Sequence, residues 1–188
     1  MTMLIALAIV AVLAVYLLFS YNRLVSLSQA WKRAFADIDV QLRQRQDLVP
    51  NLVETVKGYA AHESGVFTKV TEARASAMRA TGVAEKSAAE SALTGALGNL
   101  MAVAENYPQL KANQNFLSLQ DELADLENKI AAARRFLNNA VAEYNTAIQQ
   151  FPAAMFAGAF GFTPAQMFEL DAAEKAAAMT PPKVSFGA

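Results

Sequence analysis

From Met3 to Phe19 the chain carries no charged side chain, and from Leu24 it shows a stripe of apolar residues that runs almost to Phe151. An uncharged helix of about 17 to 19 residues is roughly 26–28 Å long, just enough to cross the hydrocarbon core of a bilayer. A stripe that steps by threes and fours belongs to a helix buried along one side. Together these predict an all-α chain: an N-terminal transmembrane helix continuing into an elongated antiparallel helical bundle. They place the protein at a membrane without naming a reaction.

The apolar run has the features of a retained anchor rather than a cleaved signal. It lacks a basic n-region, and no small-x-small cleavage site separates it from Tyr21-Asn22-Arg23. No Lys or Arg precedes it, whereas Arg23, Lys32 and Arg33 follow it. The positive-inside rule then puts the N-terminus outside and the bundle in the cytoplasm, with Tyr16 and Tyr21 at the inner interface.

Apolar residues make up 54% of the chain, against only 8 Gly and 6 Pro. Alanine is abundant, and this composition favours helices. A net charge of −1 gives no electrostatic basis for binding nucleic acid. The chain contains no Cys, which excludes disulfides, thiolate zinc sites and thiol catalysis.

The first stripe runs Leu24, Ser28, Trp31, Phe35, Ile38, Leu42, Arg45, Val49, Leu52, Val56, Tyr59, and stays in phase through Val66, Val70, Ala73 and Ala77. Pro50 either kinks this helix or lies in the first turn of a new one capped by Asp47. The polar stretch Thr81 to Ser91 is expected to be a loop. A third helix is expected from about Ala88 to Tyr107, with Leu93, Leu97, Leu100, Met101 and Ala104 on its buried face. Pro108 ends it, and Asn113 can cap the next. That last helix carries Phe116, Leu119, Leu123, Leu126, Ile130, Ala133, Leu137, Ala140, Tyr144, Ala147 and Phe151, and Pro152 stops it. Short connections predict antiparallel packing at about 20°.

The expected organisation is therefore an anchor over 1–22, a bundle over 23–152 and a Phe/Pro-rich tail over 153–188. The tail is expected to hold a short helix from Pro164 to Ala178 and an extended Pro181–Phe186 segment. Val184 and Phe186 would share one face of it. Phe156, Phe160, Phe162, Phe168 and Phe186 form a candidate interaction surface, or fold back to complete the core.

Chemistry has few candidates. His62 is the single histidine, and Tyr59 stands where a Glu-x-x-His metal motif would need its glutamate. His62-Glu63 lacks the second histidine of a zincin helix, and no nucleophile elbow or phosphate loop is present. The expectation is no catalytic, cofactor or metal-binding residue, and no enzyme. Arg45 is unusual because it falls on the apolar stripe. A buried Arg needs acidic partners, and Glu105 and Glu127 lie near stripe positions on other helices. Alternatively, Arg45 turns toward solvent beside Pro50. Asn51, Asn113, Asn115, Asn128 and Asn145 could extend a polar network.

The stretch IDVQLRQRQDLVPNLVETVKGYAAHE, Ile38 to Glu63, closely resembles the LemA family. So does the block from Leu100 to Pro152, as do Phe160-Gly161-Phe162 and the closing Pro182-x-Val184-x-Phe186. The match is weakest over Thr81 to Thr94. The resemblance implies one membrane helix with a cytoplasmic antiparallel bundle in the bacterial inner membrane. It brings no established catalytic site, cofactor or substrate, so there are no functional residues to carry over.

The function expected is a non-enzymatic scaffold that self-assembles at the inner-membrane surface. Ala6, Ala8, Ala11 and Ala14 would permit close helix contact in lipid. The expected partners are the lipid bilayer and further copies of the chain. The alternative is an adaptor or regulatory subunit of another membrane protein, since relatives of the family accompany membrane metallopeptidases.

Overall fold

The computed structural model describes residues 1–169. It contains five α-helices: α1 Thr2–Lys57, α2 Ser64–Arg79, α3 Gly82–Glu105, α4 Pro108–Lys111 and α5 Gln114–Gln149, followed by a 3-10 turn at Ala153–Met155. No strand occurs among the described residues, and the chain is all-α as the stripes predict. Contacts divide it into two compact units. The first joins Met1–Gln41 to Lys129–Met167; the second comprises Leu42–Asn128 with Phe168 and Glu169 among the described residues. Helices α1 and α5 contribute to both.

The uncharged start of α1 is exposed throughout and is the one stretch among the described residues long and apolar enough to cross a membrane. Further along, Leu24, Ser28, Ile38, Leu42, Arg45, Val49, Leu52 and Val56 are buried at the expected spacing. Pro50 neither breaks α1 nor begins a new helix. A proline in mid-helix leaves the carbonyl four residues earlier without its amide donor. Here that carbonyl belongs to Gln46, and the Arg74 Nε on α2 donates to it at 2.6 Å. A side chain from the neighbouring helix thus supplies the bond that Pro50 cannot.

The unbroken phase from Leu24 to Ala77 conceals a chain reversal. Helix α1 ends at Lys57 before Gly58, a poor helix former, and α2 begins at Ser64. The phase survives because Ala60, Phe67 and Val70 return to the same core. Tyr59, on the predicted stripe, is exposed, and its hydroxyl accepts a 2.8 Å bond from the Asn113 Nδ2. Asn113 also caps α5 as expected, with its Oδ1 accepting from the Phe116 amide at 3.1 Å.

The expected loop from Thr81 to Ser91 is instead the start of α3. Gly82, at a φ of +73°, makes the tight turn from α2, a conformation that favours glycine. The Thr81 amide and hydroxyl both reach the Glu85 Oε2, at 3.0 and 3.2 Å. Val83, Ser87, Ala89 and Glu90 are buried on the face that continues through Leu93, Leu97, Leu100 and Ala104. The polar members of that face hid its period.

The core of the second unit gathers Leu48, Leu52, Val56, Val70, Leu93, Leu100, Leu110, Phe116 and Leu126 among others. In the first unit Leu24 packs with Tyr144, Ala147, Ile148, Ala153 and Ala157. Phe151 departs from the stripe prediction and is 78% exposed. It lies beyond Gln149, the last residue of α5, so the helical period no longer sets its direction. The expected helix from Pro164 does not form through Glu169; the rest of that segment, with Val184 and Phe186, lies outside the described residues.

Candidate functional site

Two constellations stand out, one in each unit. In the second, Arg45 is the largest fully buried side chain among the described residues, 1% exposed. Its Nη2 lies 2.5 Å from the Glu90 Oε2 and also donates to the Glu90 carbonyl at 3.3 Å. Its Nη1 lies 2.6 Å from the Glu127 Oε1 and donates to the Thr94 hydroxyl at 2.9 Å. The Gln46 Nε2 donates to the other Glu90 oxygen, Oε1. Thr94 in turn donates to the Glu90 carbonyl at 3.0 Å. Side chains from α1, α3 and α5 therefore converge on one guanidinium.

The electrostatics follow from burial. Glu90 is almost as enclosed as Arg45, whereas the Glu127 side chain is 39% exposed. An unpaired charge at the Glu90 position would be costly, and the Arg fork supplies directed donors to both carboxylates. Lys86, four residues before Glu90, has its pKa lowered by desolvation, while the Glu90 charge acts in the opposite direction. The Arg45 Nε makes no hydrogen bond among the described residues. The arrangement binds three helices to one another through a charge they share.

Of the sequence candidates, the structure brings Arg45 and Glu127 together. Glu105 stays apart: it is the last residue of α3 and is exposed. Being near a stripe in sequence did not suffice, because the helical turn sets it off the buried face. Glu90, Gln46 and Thr94 escaped the sequence reading. The available signal was Val83-Ser87-Glu90-Leu93-Leu97, a stripe whose small and polar members resemble a loop.

In the first unit the chain after α5 forms an aromatic turn beside the start of α1. The Tyr21 ring meets Phe160 and Phe162 edge-on, at 5.3 and 5.6 Å between centroids. Phe156 and Phe160 meet edge-on at 6.0 Å. Gly161, at a φ of +77°, permits the reversal, and the Phe162 amide donates to the Ala157 carbonyl at 2.9 Å. The Asn145 amide holds the outgoing chain at both backbone groups of one residue. Its Nδ2 donates to the Ala165 carbonyl and its Oδ1 accepts from the Ala165 amide, each at 2.8 Å. Trp31 packs against Tyr144 at 6.3 Å, and burial raises the Tyr144 pKa.

The five candidate surface phenylalanines separate accordingly. Phe160 is 63% exposed; Phe156 and Phe162 are half-buried against the first core. Phe168 is buried within the second unit and offers no free ring. Phe186 lies outside the described residues. His62 is exposed, and no group of three His, Asp or Glu converges among the described residues.

Comparison with known proteins agrees with the sequence blocks quoted above. The chain is 30% identical to two proteins of Paramagnetospirillum magneticum, magnetosome proteins MamQ 1 and MamQ 2, over 94% of its own length and 75% of theirs. It is 27% identical to magnetosome protein MamQ of Magnetospirillum gryphiswaldense, over 88% of its length and 69% of that protein's. The profile of the LemA family matches residues 34–186. With that match covering most of its length, the chain belongs to the LemA family.

Proposed function

We propose that this protein is a membrane-anchored, non-enzymatic helical scaffold that self-assembles at the inner-membrane surface. The observation that carries the proposal is the continuity of α1. One uninterrupted helix contains both the exposed apolar stretch and residues buried in each folded core. Such a helix fixes the folded body to the bilayer without a flexible linker. Copies held in one plane and one orientation meet at raised effective concentration. The small residues Ala6, Ala8, Ala11 and Ala14 allow close helix approach in lipid. The three cations after the apolar stretch favour a cytoplasmic body.

The Arg45 cluster supports a structural rather than a chemical role. Its guanidinium is enclosed and engaged with two carboxylates, as expected of a group that sets helix register. The relatives are named for a magnetosome and not for a reaction. The test is the mass of full-length protein in lipid nanodiscs, measured by light scattering. The scaffold proposal predicts a multimer whose assembly becomes smaller when Ala6, Ala8, Ala11 and Ala14 are replaced by the bulkier leucine, which keeps the stretch apolar and leaves the Leu24 core intact. A single monodisperse monomer would reject self-assembly and favour an adaptor that binds another membrane protein.

A further inference from the structure

The most exposed apolar side chains of the first unit, apart from those of the apolar stretch itself, surround the turn that follows α5. Phe151 is 78% exposed, Met155 77% and Phe160 63%. Leu17, Leu18 and Tyr21 of α1 form a groove with Phe156 and Phe160 of this turn. Around Phe151 and Pro152, a second hollow includes Tyr16, Phe19 and Arg23. The turn is held in place: Gly161 reverses it, Phe162 bonds back to Ala157, and Asn145 clasps Ala165. Its exposed rings therefore have a fixed position.

We propose that the turn from Phe151 to Phe162 is a second membrane contact, a wedge in the boundary between headgroups and acyl chains, with the groove beside Leu17 and Leu18 occupied by a lipid acyl chain. This rests on the membrane anchoring proposed above. The occupant follows from continuity, because one wall of the groove is the last turn of the apolar stretch. Where Leu17 and Leu18 meet hydrocarbon, Phe156 and Phe160 meet it too. Tyr21 and Arg23 follow at the level where aromatic rings and cations favour the interface. Apolar side chains buried a few ångströms below the headgroups are the usual means by which a protein lies on a bilayer it also spans.

The chain contains no native cysteine, so single spin labels report without background. Full-length protein carrying Phe151→Cys or Met155→Cys is labelled with a nitroxide and reconstituted into vesicles of zwitterionic and anionic phospholipid. Relaxation by oxygen, which partitions into bilayers, is compared with relaxation by a water-soluble nickel chelate. Ile9→Cys serves as the control for the apolar stretch and Met78→Cys as the control for water. The proposal predicts an oxygen-to-nickel ratio at both turn positions several-fold above that at Met78, and between the two controls. A ratio equal to that at Met78, with Ile9 in lipid, overturns the wedge and leaves the anchor standing. A water-exposed Ile9 overturns the anchor and the wedge with it. Protection from both reagents, with spin–spin broadening that disappears on dilution with unlabelled protein, assigns the face to a neighbouring copy and also overturns the proposal.

Discussion

The unit built from Leu42–Asn128 buries a guanidinium and its carboxylate partner alongside its apolar core, whereas the core of the unit built from Met1–Gln41 and Lys129–Met167 is aromatic and aliphatic. Around Arg45 the contacts are directional, with Glu90 almost as enclosed as the guanidinium and Glu127 open to solvent on one side. Around Tyr144 the contacts are rings, methyl groups and one amide clasp, and the outer rim leaves Phe151, Met155 and Phe160 open. The difference is one of tolerance. A buried ion pair adds little net stability over an apolar replacement, yet losing one partner is costly because the other charge is stranded. An apolar core loses stability in proportion to the surface and volume removed. The first arrangement ties three helices together through directed bonds; the second leaves apolar side chains exposed at its rim.

Arg45→Ala should produce the largest effect, because it strands Glu90. The expected cost is about 3–5 kcal/mol, which for a chain of this length lowers Tm by on the order of 10 °C. Circular dichroism melts in mild detergent check it. Arg45→Met, which restores apolar volume, should recover little. If both variants melt within a degree or two of the parent, the contrast between the units fails.

Asn145→Ala tests the other unit and should cost less. It removes two hydrogen bonds to Ala165 for a loss of about 1–3 kcal/mol. Amide exchange at Ala165 should accelerate. Trp31, the sole tryptophan, lies in this unit and reports its melting by fluorescence. Asn145→Asp should be at least as damaging, because a second acceptor would face the Ala165 carbonyl.

Smaller again is the coupling between Pro50 and Arg74. Arg74→Ala should cost about 1.5 kcal/mol, as expected for a hydrogen bond from a charged donor. In a Pro50→Ala background the cost should shrink, because the backbone amide regained at that position then bonds to the Gln46 carbonyl. A double-mutant cycle measures this, and additive losses would show that Arg74 does not substitute for the missing amide.

The smallest expected effect is alkaline. Burial raises the folded Tyr144 pKa above the ordinary 10.0. The folded state then retains a proton that the unfolded state releases, so this contribution is complete below pH 10.0 and is lost as pH rises through the folded value. Tyr144→Phe should flatten the alkaline slope of Tm relative to the parent. An unchanged slope would mean that Tyr144 ionises equally in both states.

The two regions also differed in how much their sequence revealed. Repetition of large apolar residues made the buried faces of α1 and α5 plain, and Asn113 marked a true helix start. The first turns of α3 were obscure because Ser87 and Glu90 face inward as polar groups, which periodicity reads as solvent-facing. Arg45 was conspicuous as a charge on an apolar stripe, but its principal partner was hidden for the same reason. Proximity along the sequence favoured Glu105, but it follows Ala104, the last buried residue of α3, and the helical turn sets it off that face. The reversal at Gly58 was invisible because α2 re-enters the core in phase. The Asn145 clasp depends on a loop returning twenty residues later, a relation that no local pattern encodes.

Thiol accessibility in intact cells tests most directly whether α1 ties the protein to a membrane with its folded part in the cytoplasm, as proposed. Thr2→Cys and the exposed Met78→Cys are each a unique thiol. The proposed anchor predicts that both proteins remain with the membrane after an alkaline carbonate wash. It also predicts that an impermeant reagent labels Thr2→Cys from outside and reaches Met78→Cys only after lysis. Release of the protein into the wash, or labelling of Met78→Cys in unbroken cells, would contradict it.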